Sequence, residues 1–132
     1  MAGHKCFITL PYWERSYLPT SLTSACRIGP DRYAIVGKKG TLLIGSGLRW
    51  QLIPPGTTDR IYWDVDTDGE SLYVTHEGGI DQLVDGTLQP LIIPNARELE
   101  FFSLSRGPDG VWAFAGQTIG VIRNGVWNTI LS

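Results

Sequence analysis

Short apolar runs alternate with turns along most of this chain. Runs such as Val111–Phe114 are rich in β-branched and aromatic residues and lack the three-to-four-residue spacing of an amphipathic helix. The dipeptides Asp85-Gly86 and Asn124-Gly125 each separate two such runs. Both dipeptides favour type I′ turns, because the two central residues of that turn need positive φ angles. The pattern therefore predicts an all-β domain built from short hairpins.

These hairpins recur with a fixed period along the chain. Gly47, Gly86 and Gly125 are equally spaced, since 86 − 47 and 125 − 86 are both 39, and the apolar runs on both sides align without a gap. The first unit accordingly places Ser46-Gly47 in the tight turn. We expect an all-β fold of three four-stranded antiparallel propeller-like blades, a half-propeller or wedge, whose second strands are apolar on both faces and covered on both sides. The expected parts of this single domain are an N-terminal strand and cap at 1–23 and blades at 24–62, 63–101 and 102–132.

The third unit carries a more specific motif. Residues 109–114 read DGVWAF and residues 120–127 read GVIRNGVW. This unit resembles the repeat of two-component-regulator-type β-propellers, in which a D-G-x-L-W-V strand precedes a G-L-x-R-x-D-G-x-x-W hairpin. The second unit matches that repeat in part, and the first keeps only its apolar and turn pattern. The resemblance implies blade architecture and carries over no site residues.

Three blades are fewer than the four to eight of a closed propeller. The outer faces of the first and third units would then be exposed, so the chain forms an open wedge, is capped by its aromatic N-terminal segment, or pairs with a second copy. We expect a homodimer whose six blades make one ring, with the cap as the rival arrangement. The apolar residues that we expect to be exposed in a lone chain are Cys26, Ile35, Leu43, Val111, Val121 and Ile130.

Composition narrows the class of protein. The chain has 132 residues, of which 42% are hydrophobic and 18% charged, which excludes a disordered chain or a coiled coil. A net charge of −2 argues against a nucleic-acid partner, because phosphate binding favours a basic surface. The sequence shows neither a membrane-spanning run nor an export signal, so we expect a cytoplasmic protein with no membrane partner. A periplasmic or secreted protein whose export signal has been removed stays open. Cys6 and Cys26 are then expected to be reduced, although a bridge between them stays open.

Charge is unevenly distributed along the units. Residues 63–101 contain nine Asp and Glu against one Arg, a local charge of −8 (1 − 9), whereas residues 24–62 are locally basic. One interpretation is a solvated acidic face compensated by the neighbouring blade, and the other is a docking surface for a basic protein partner. The candidate partner-binding residues are Asp64, Asp66, Asp68, Glu70 and Glu77, with Tyr12 and Trp13 as aromatic anchors.

Candidate chemistry is sparse. Asp64 to Gly69 has the D-x-D-x-D-G form of a calcium loop, but Thr75 stands where the bidentate Glu of such a loop is expected. His4 and His76 are the two histidines, and the sequence contains no G-x-S-x-G nucleophile elbow and no P-loop. We therefore expect no cofactor and no enzymatic activity, and calcium binding by the aspartates stays open.

These observations predict a non-enzymatic protein-binding module. Its size and acidic character suit an inhibitor or an immunity-type protein that occludes a toxin or enzyme through an acidic face. The alternative is a lectin assembled as an oligomeric propeller, in which aromatic rings stack on sugars. The aromatic residues on predicted strands are Trp50, Trp63, Trp112 and Trp127.

Overall fold

The computed structural model describes residues 21–53, 59–94 and 103–131. They form three four-stranded antiparallel sheets, each with its strands in chain order, which confirms the expected all-β fold class. No helix in this part of the chain is long and apolar enough to cross a membrane. The strands are β1 (Leu22–Gly29), β2 (Arg32–Gly37), β3 (Leu42–Ser46), β4 (Arg49–Leu52), β5 (Tyr62–Thr67), β6 (Leu72–His76), β7 (Gly79–Val84), β8 (Thr87–Pro90), β9 (Ser103–Gly107), β10 (Gly110–Ala115), β11 (Thr118–Arg123) and β12 (Val126–Leu131).

The three sheets stack face to face as an open series of blades. Their first strands lie side by side, because β1 contacts β5 and β5 contacts β9. One apolar cluster, which includes Val36 and Val74, fills the space between the first and second sheets. A second cluster, which includes Ile80 and Trp127, fills the space between the second and third sheets. Burial of these apolar faces is the main force that holds the sheets together.

The second sheet is covered on both faces, as its sequence predicts. All five residues of β6 are buried. Alternate side chains of a strand point to opposite faces, so Val74 joins the first cluster and Tyr73 the second. A strand that is apolar on both faces is therefore the signature of the middle layer in this stack.

The gapless repeat period holds between the second and third sheets. Thr75 pairs with Ile80 in the second sheet, and Phe114 pairs with Ile119 in the third, one period later at both positions (114 − 75 and 119 − 80 are both 39). The type I′ turns are also consistent with the structure, because Asp85 (φ 51°) and Asn124 (φ 52°) have positive φ angles, as do the glycines that follow them. Turn chemistry thus set the correct register for these two units.

The first sheet departs from the alignment by one residue. Ser46 pairs with Arg49, so its tight turn consists of Gly47 and Leu48, and the predicted Ser46-Gly47 turn is wrong. The cause lies upstream. Five residues separate the paired Val36 and Leu42, whereas four separate the equivalent pair of the second sheet, and the extra residue shifts every later position.

Most of the apolar residues that were expected to be exposed in a lone chain are buried. Five of the six apolar residues predicted to be exposed are buried in the single chain, and Ile130 is 52% exposed. Ile35 and Leu43 form a third cluster with Ala25 and Trp50 on the face of the first sheet that points away from the second. The five buried residues are Cys26, Ile35, Leu43, Val111 and Val121.

Residues 1–20 of the predicted N-terminal strand and cap lie outside the described residues. Tyr12, Trp13 and Cys6 are among them. The six-bladed homodimer and the N-terminal cap therefore both stay predictions.

Candidate protein-docking site

Asp64 in β5 connects the first strands of all three sheets. Its Oδ1 atom accepts a hydrogen bond from the Ser24 hydroxyl in β1 (2.8 Å) and one from the backbone N–H of Val65 (2.9 Å). Its Oδ2 atom accepts the backbone N–H of Leu104 in β9 (2.8 Å). A single carboxylate in β5 therefore connects the first, second and third sheets.

Asp66 makes similar hydrogen bonds two residues farther along β5, and we call the contacts of Asp64 and Asp66 with the neighbouring sheets the seam. Its Oδ1 accepts the backbone N–H of Thr67 (2.8 Å), and its Oδ2 accepts the backbone N–H of Arg106 in β9 (3.0 Å). The residue is fully buried, and a buried carboxylate needs such donors to offset the loss of its hydration. The sequence predicted Asp64 and Asp66 as partner-binding residues, but the structure gives both of them bonds between sheets and leaves Asp66 no surface to present to a partner.

Asp68 shapes the turn between β5 and β6. Its Oδ1 accepts the backbone N–H groups of Glu70 (2.9 Å) and Ser71 (2.7 Å), and its Oδ2 accepts the Tyr73 hydroxyl (3.3 Å). Burial raises the pKa of the Tyr73 hydroxyl above its usual 10.0, and the negative charge of Asp68 raises it further. Tyr73 therefore keeps its proton at neutral pH and donates a hydrogen bond to this carboxylate, which holds the turn in one shape.

The calcium-like sequence at 64–69 has a structural explanation in these bonds. Asp64, Asp66 and Asp68 each accept backbone N–H groups with their carboxylate oxygens. Across residues 21–53, 59–94 and 103–131, no three His, Cys, Asp or Glu side chains converge as metal ligands. The spacing of the aspartates matches the strand and its turn rather than the wrapping of a cation.

A cavity of about 460 Å³ opens beside the β5–β6 turn. Three turns surround it at one end of the second and third sheets, and they connect β5 to β6, β9 to β10 and β11 to β12. Among the predicted site residues, Asp68 and Glu70 reach this cavity, and Glu70 is exposed. The lining residues are Asp68, Glu70, Arg106, Gly107, Pro108, Asp109, Gly110, Arg123 and Asn124.

Two arginines in the cavity were not singled out by the sequence. The Nη2 atom of Arg106 donates to the backbone carbonyl of Asp68 (3.4 Å), and the Nε atom of Arg123 donates to that of Asp109 (3.0 Å). A guanidinium group has five N–H donors, so these contacts orient each group and leave donors for a partner. Arg123 belongs to the propeller-like hairpin motif, and that motif was the sequence feature by which it could have been identified. The cavity therefore presents guanidinium and carboxylate groups together.

Glu77 lies away from this cavity. It is exposed in the turn that follows β6, whereas the cavity adjoins the turn that precedes β6. The structure therefore brings Asp68 and Glu70 together and places Glu77 at the opposite end of the sheet. Partner binding by the predicted acidic residues stays a prediction, as does the anchoring role of Tyr12 and Trp13.

A buried charged network lies next to Glu77. The Nε2 atom of His76 lies 3.0 Å from Oδ1 of Asp81, and Nη1 of Arg60 lies 3.1 Å from Oδ2 of the same carboxylate. The Nδ1 atom of His76 lies 2.9 Å from the backbone carbonyl of Glu77. The imidazole therefore bridges the Asp81 carboxylate and the Glu77 carbonyl. Since the Arg60 carbonyl accepts the N–H of Gly40, the network also ties the second sheet to the first.

The remaining candidates are dispersed through the fold. Cys26 is buried in the first apolar cluster, and a bridge to Cys6 stays open because that residue is not described. Trp127 is buried between the second and third sheets, whereas Trp50 packs on the outer face of the first sheet. The lectin alternative, which needs aromatic rings that face a sugar, stays a prediction.

Comparison with known proteins gives one informative similarity. The chain is 26% identical over 120 residues to the immune protein Tsi7 of Pseudomonas aeruginosa. The alignment covers 89% of this chain and 39% of the relative, so the chain spans about two-fifths of that protein's length. No protein-family profile and no solved structure matches the chain.

Proposed function

We propose that this protein is a non-enzymatic, immunity-type inhibitor that binds and neutralises a protein toxin. The observation that carries the proposal is the similarity to an immune protein over 89% of the chain. The chain spans about two-fifths of that relative's length. We therefore infer a toxin-binding role for this chain alone and carry over no other property of the whole relative.

The cavity next to the β5–β6 turn is the docking site that best suits this role. Its rim is built from turns, and one of these turns is fixed by the carboxylate of Asp68. Glu70 attracts a basic side chain, whereas Arg106 and Arg123 offer donors to an acidic one. A toxin surface with both kinds of charge would therefore fit better than a purely basic one, and the mixed charges would select partner and orientation.

Growth rescue tests the proposal. Each protein encoded next to this chain would be expressed in a bacterial host, alone and together with the chain. We expect one of these proteins to arrest growth and the chain to restore it by forming a stable complex. If the chain restores growth against none of the neighbouring products, the proposal is wrong.

Charge reversals locate the docking site. Glu70→Lys and Arg123→Glu are expected to weaken the complex at least about tenfold, which corresponds to about 1.4 kcal/mol. Asp59→Lys is the matched control, because Asp59 is exposed and does not line the cavity. Equal affinities for the three variants and the wild type would exclude the cavity while leaving the inhibitor role intact.

A further inference from the structure

The outer face of the first sheet is buried, although that sheet stands at one end of the described stack. Ile35 and Leu43 lie at the centre of this face and are 3% and 2% exposed. With Ala25 and Trp50 they form the third cluster, which points away from the second sheet. The second sheet packs on the opposite face of the first, where β5 contacts β1 and β2. No strand within residues 21–53, 59–94 or 103–131 therefore accounts for the burial of the outer face.

The repeat shows what such burial requires. Ile35 lies one period before Val74, and Ala113 lies one period after it (74 − 35 and 113 − 74 are both 39). Val74 is fully buried because it faces the first sheet across the first cluster. Ala113 is fully buried against the second sheet in the same way. Ile35 reaches nearly the same burial with no preceding sheet in the described part of the chain, so another segment of the chain covers it.

Neighbouring side chains within the first sheet do not supply this cover. Ala25 has only a methyl group to offer. The Trp50 indole N–H donates to the Gly47 carbonyl (2.8 Å), which directs that edge of the indole toward the β3–β4 turn. Leu52, which pairs with Leu43, is itself 54% exposed. The cover therefore lies over the central strands β2 and β3 and stops short of the edge strand β4.

The far face of the third sheet shows how an open end of this stack looks. Phe114 is 42% exposed and Leu131 is 57% exposed. Val121, which has a smaller side chain, is buried there between Trp112 and Asn128. Large apolar side chains on this face thus keep much of their exposure, whereas the two at the centre of the first sheet lose it.

Length and position exclude the two internal segments as the cover. Residues 54–58 follow Ile53, which packs between the first and second sheets, and lead to Arg60 at the same junction. Five residues reach at most about 18 Å, and stacked sheets lie about 10 Å apart, so this segment is too short to pass round the first sheet and return. Residues 95–102 connect the second sheet to the third, one layer farther away.

Residues 1–20 have the position that the cover requires. The segment leads into Ser21, whose backbone carbonyl accepts the N–H of Lys38 (3.0 Å) just after β2. It therefore joins the first sheet directly. Four strands span only about 14 Å, and a chain of this length can cross that width several times.

The composition of this segment also fits an apolar face. Residues 6–10 read CFITL, and residues 1–20 contain four aromatic side chains. Apolar side chains of this kind are stabilised by contact with a buried apolar surface. We propose that residues 1–20 pack on the outer face of the first sheet and bury Ile35 and Leu43.

This arrangement closes one end of the stack and leaves the third sheet as the open end. A six-bladed assembly needs the same face of the first sheet for contact with a second copy, so the proposal counts against that assembly. It also competes with the predicted role of Tyr12 and Trp13 as toxin anchors, because an aromatic side chain that is packed on the first sheet is not available to a toxin. The proposal itself does not depend on toxin binding.

Nuclear Overhauser effects in the full chain, with no toxin present, test the proposal directly. We expect the methyl protons of Ile35 and Leu43 to show effects to protons of residues 1–20. Leu42 is the matched control, because it is the neighbour of Leu43 in β3, is fully buried and faces the second sheet, and it is expected to show none. A mixture of isotope-labelled and unlabelled chains separates contacts within one chain from contacts between copies. If Ile35 and Leu43 show no effects from residues 1–20, or show them only between copies, the proposal is wrong.

Limited trypsin digestion gives an independent measurement. Leu43→Ala truncates the covered face and is expected to speed cleavage after Arg15 at least about tenfold, because cleavage follows the population of the released segment. Leu42→Ala truncates an equally buried leucine on the opposite face of the same strand, and it is expected to speed this cleavage much less. Circular dichroism checks that both variants fold. Equal cleavage rates in the two variants would contradict the proposed packing.

Discussion

Removal of the Asp64 side chain should uncouple the three sheets. Asp64→Ala deletes the acceptor of the Ser24 hydroxyl and of the Leu104 backbone N–H. A hydrogen bond to a charged group contributes about 1.5–3 kcal/mol, and Asp64 is partly exposed, so water replaces part of this contribution. We therefore expect the free energy of unfolding to fall by about 3 kcal/mol, which lowers the melting temperature of a domain of this size by roughly 10 °C.

Urea unfolding followed by tryptophan fluorescence measures this change. Glu70→Ala is the control, because it removes an exposed carboxylate next to the same strand and should change stability by less than about 0.5 kcal/mol. Ser24→Ala alone should cost about 1 kcal/mol. In the double variant the two losses should not add, because both remove the same bond. A loss below about 1 kcal/mol for Asp64→Ala would mean that water substitutes for the seam, and the reasoning would be refuted.

Three further changes probe other parts of the fold. A Cβ at Gly120 would lie 2.2 Å from the ring of Trp127, so Gly120→Ala should displace that ring and cost at least about 2 kcal/mol, measurable as a shift in the fluorescence maximum and the urea midpoint. Asp81→Ala leaves Arg60 without its carboxylate at the junction of the first two sheets and should cost about 3 kcal/mol by calorimetry; an unchanged melting temperature would contradict the network. Burial, and then the charge of Asp81, raise the pKa of Tyr62 above its usual 10.0. The stability that Tyr62 contributes should therefore be fully present below about pH 10 and lost as the pH rises through the raised pKa. The urea midpoint of the wild type should accordingly fall between about pH 8 and about pH 11, and this fall should be smaller in Tyr62→Phe.

The sequence allowed the hairpins to be predicted because their turns have strict conformational demands. Asp-Gly and Asn-Gly tolerate positive φ angles, and these residues fixed the strand pairing in the second and third sheets. The shift in the first sheet could not be predicted in the same way. The extra residue lies in the connection between Val36 and Leu42, and a connection can lengthen without any change in the composition of the strands that it joins.

The acidic residues show a different limit of sequence reasoning. Asp64 and Asp66 alternate with apolar residues in β5, a pattern that also describes a strand with one face in water. Periodicity identifies the residues that share a face and does not identify what covers that face. Here the cover is the backbone of β9, whose N–H groups leave no signal in the sequence. The cavity arginines were missed because Arg106 and Arg123 are far apart in the chain and meet only when the two turns converge.

The seam between the second and third sheets depends on particular side chains in the second sheet and on main-chain groups in the third. Asp64 and Asp66 supply specific side chains, whereas Leu104 and Arg106 contact these two carboxylates through main-chain N–H groups. Any residue other than proline can provide such a donor. A different four-stranded sheet with suitable apolar residues could therefore be grafted in place of the third without redesigning the contacts to Asp64 and Asp66. Units joined in this way can be lengthened, exchanged or recombined, while the aspartate pair of the preceding unit preserves the register.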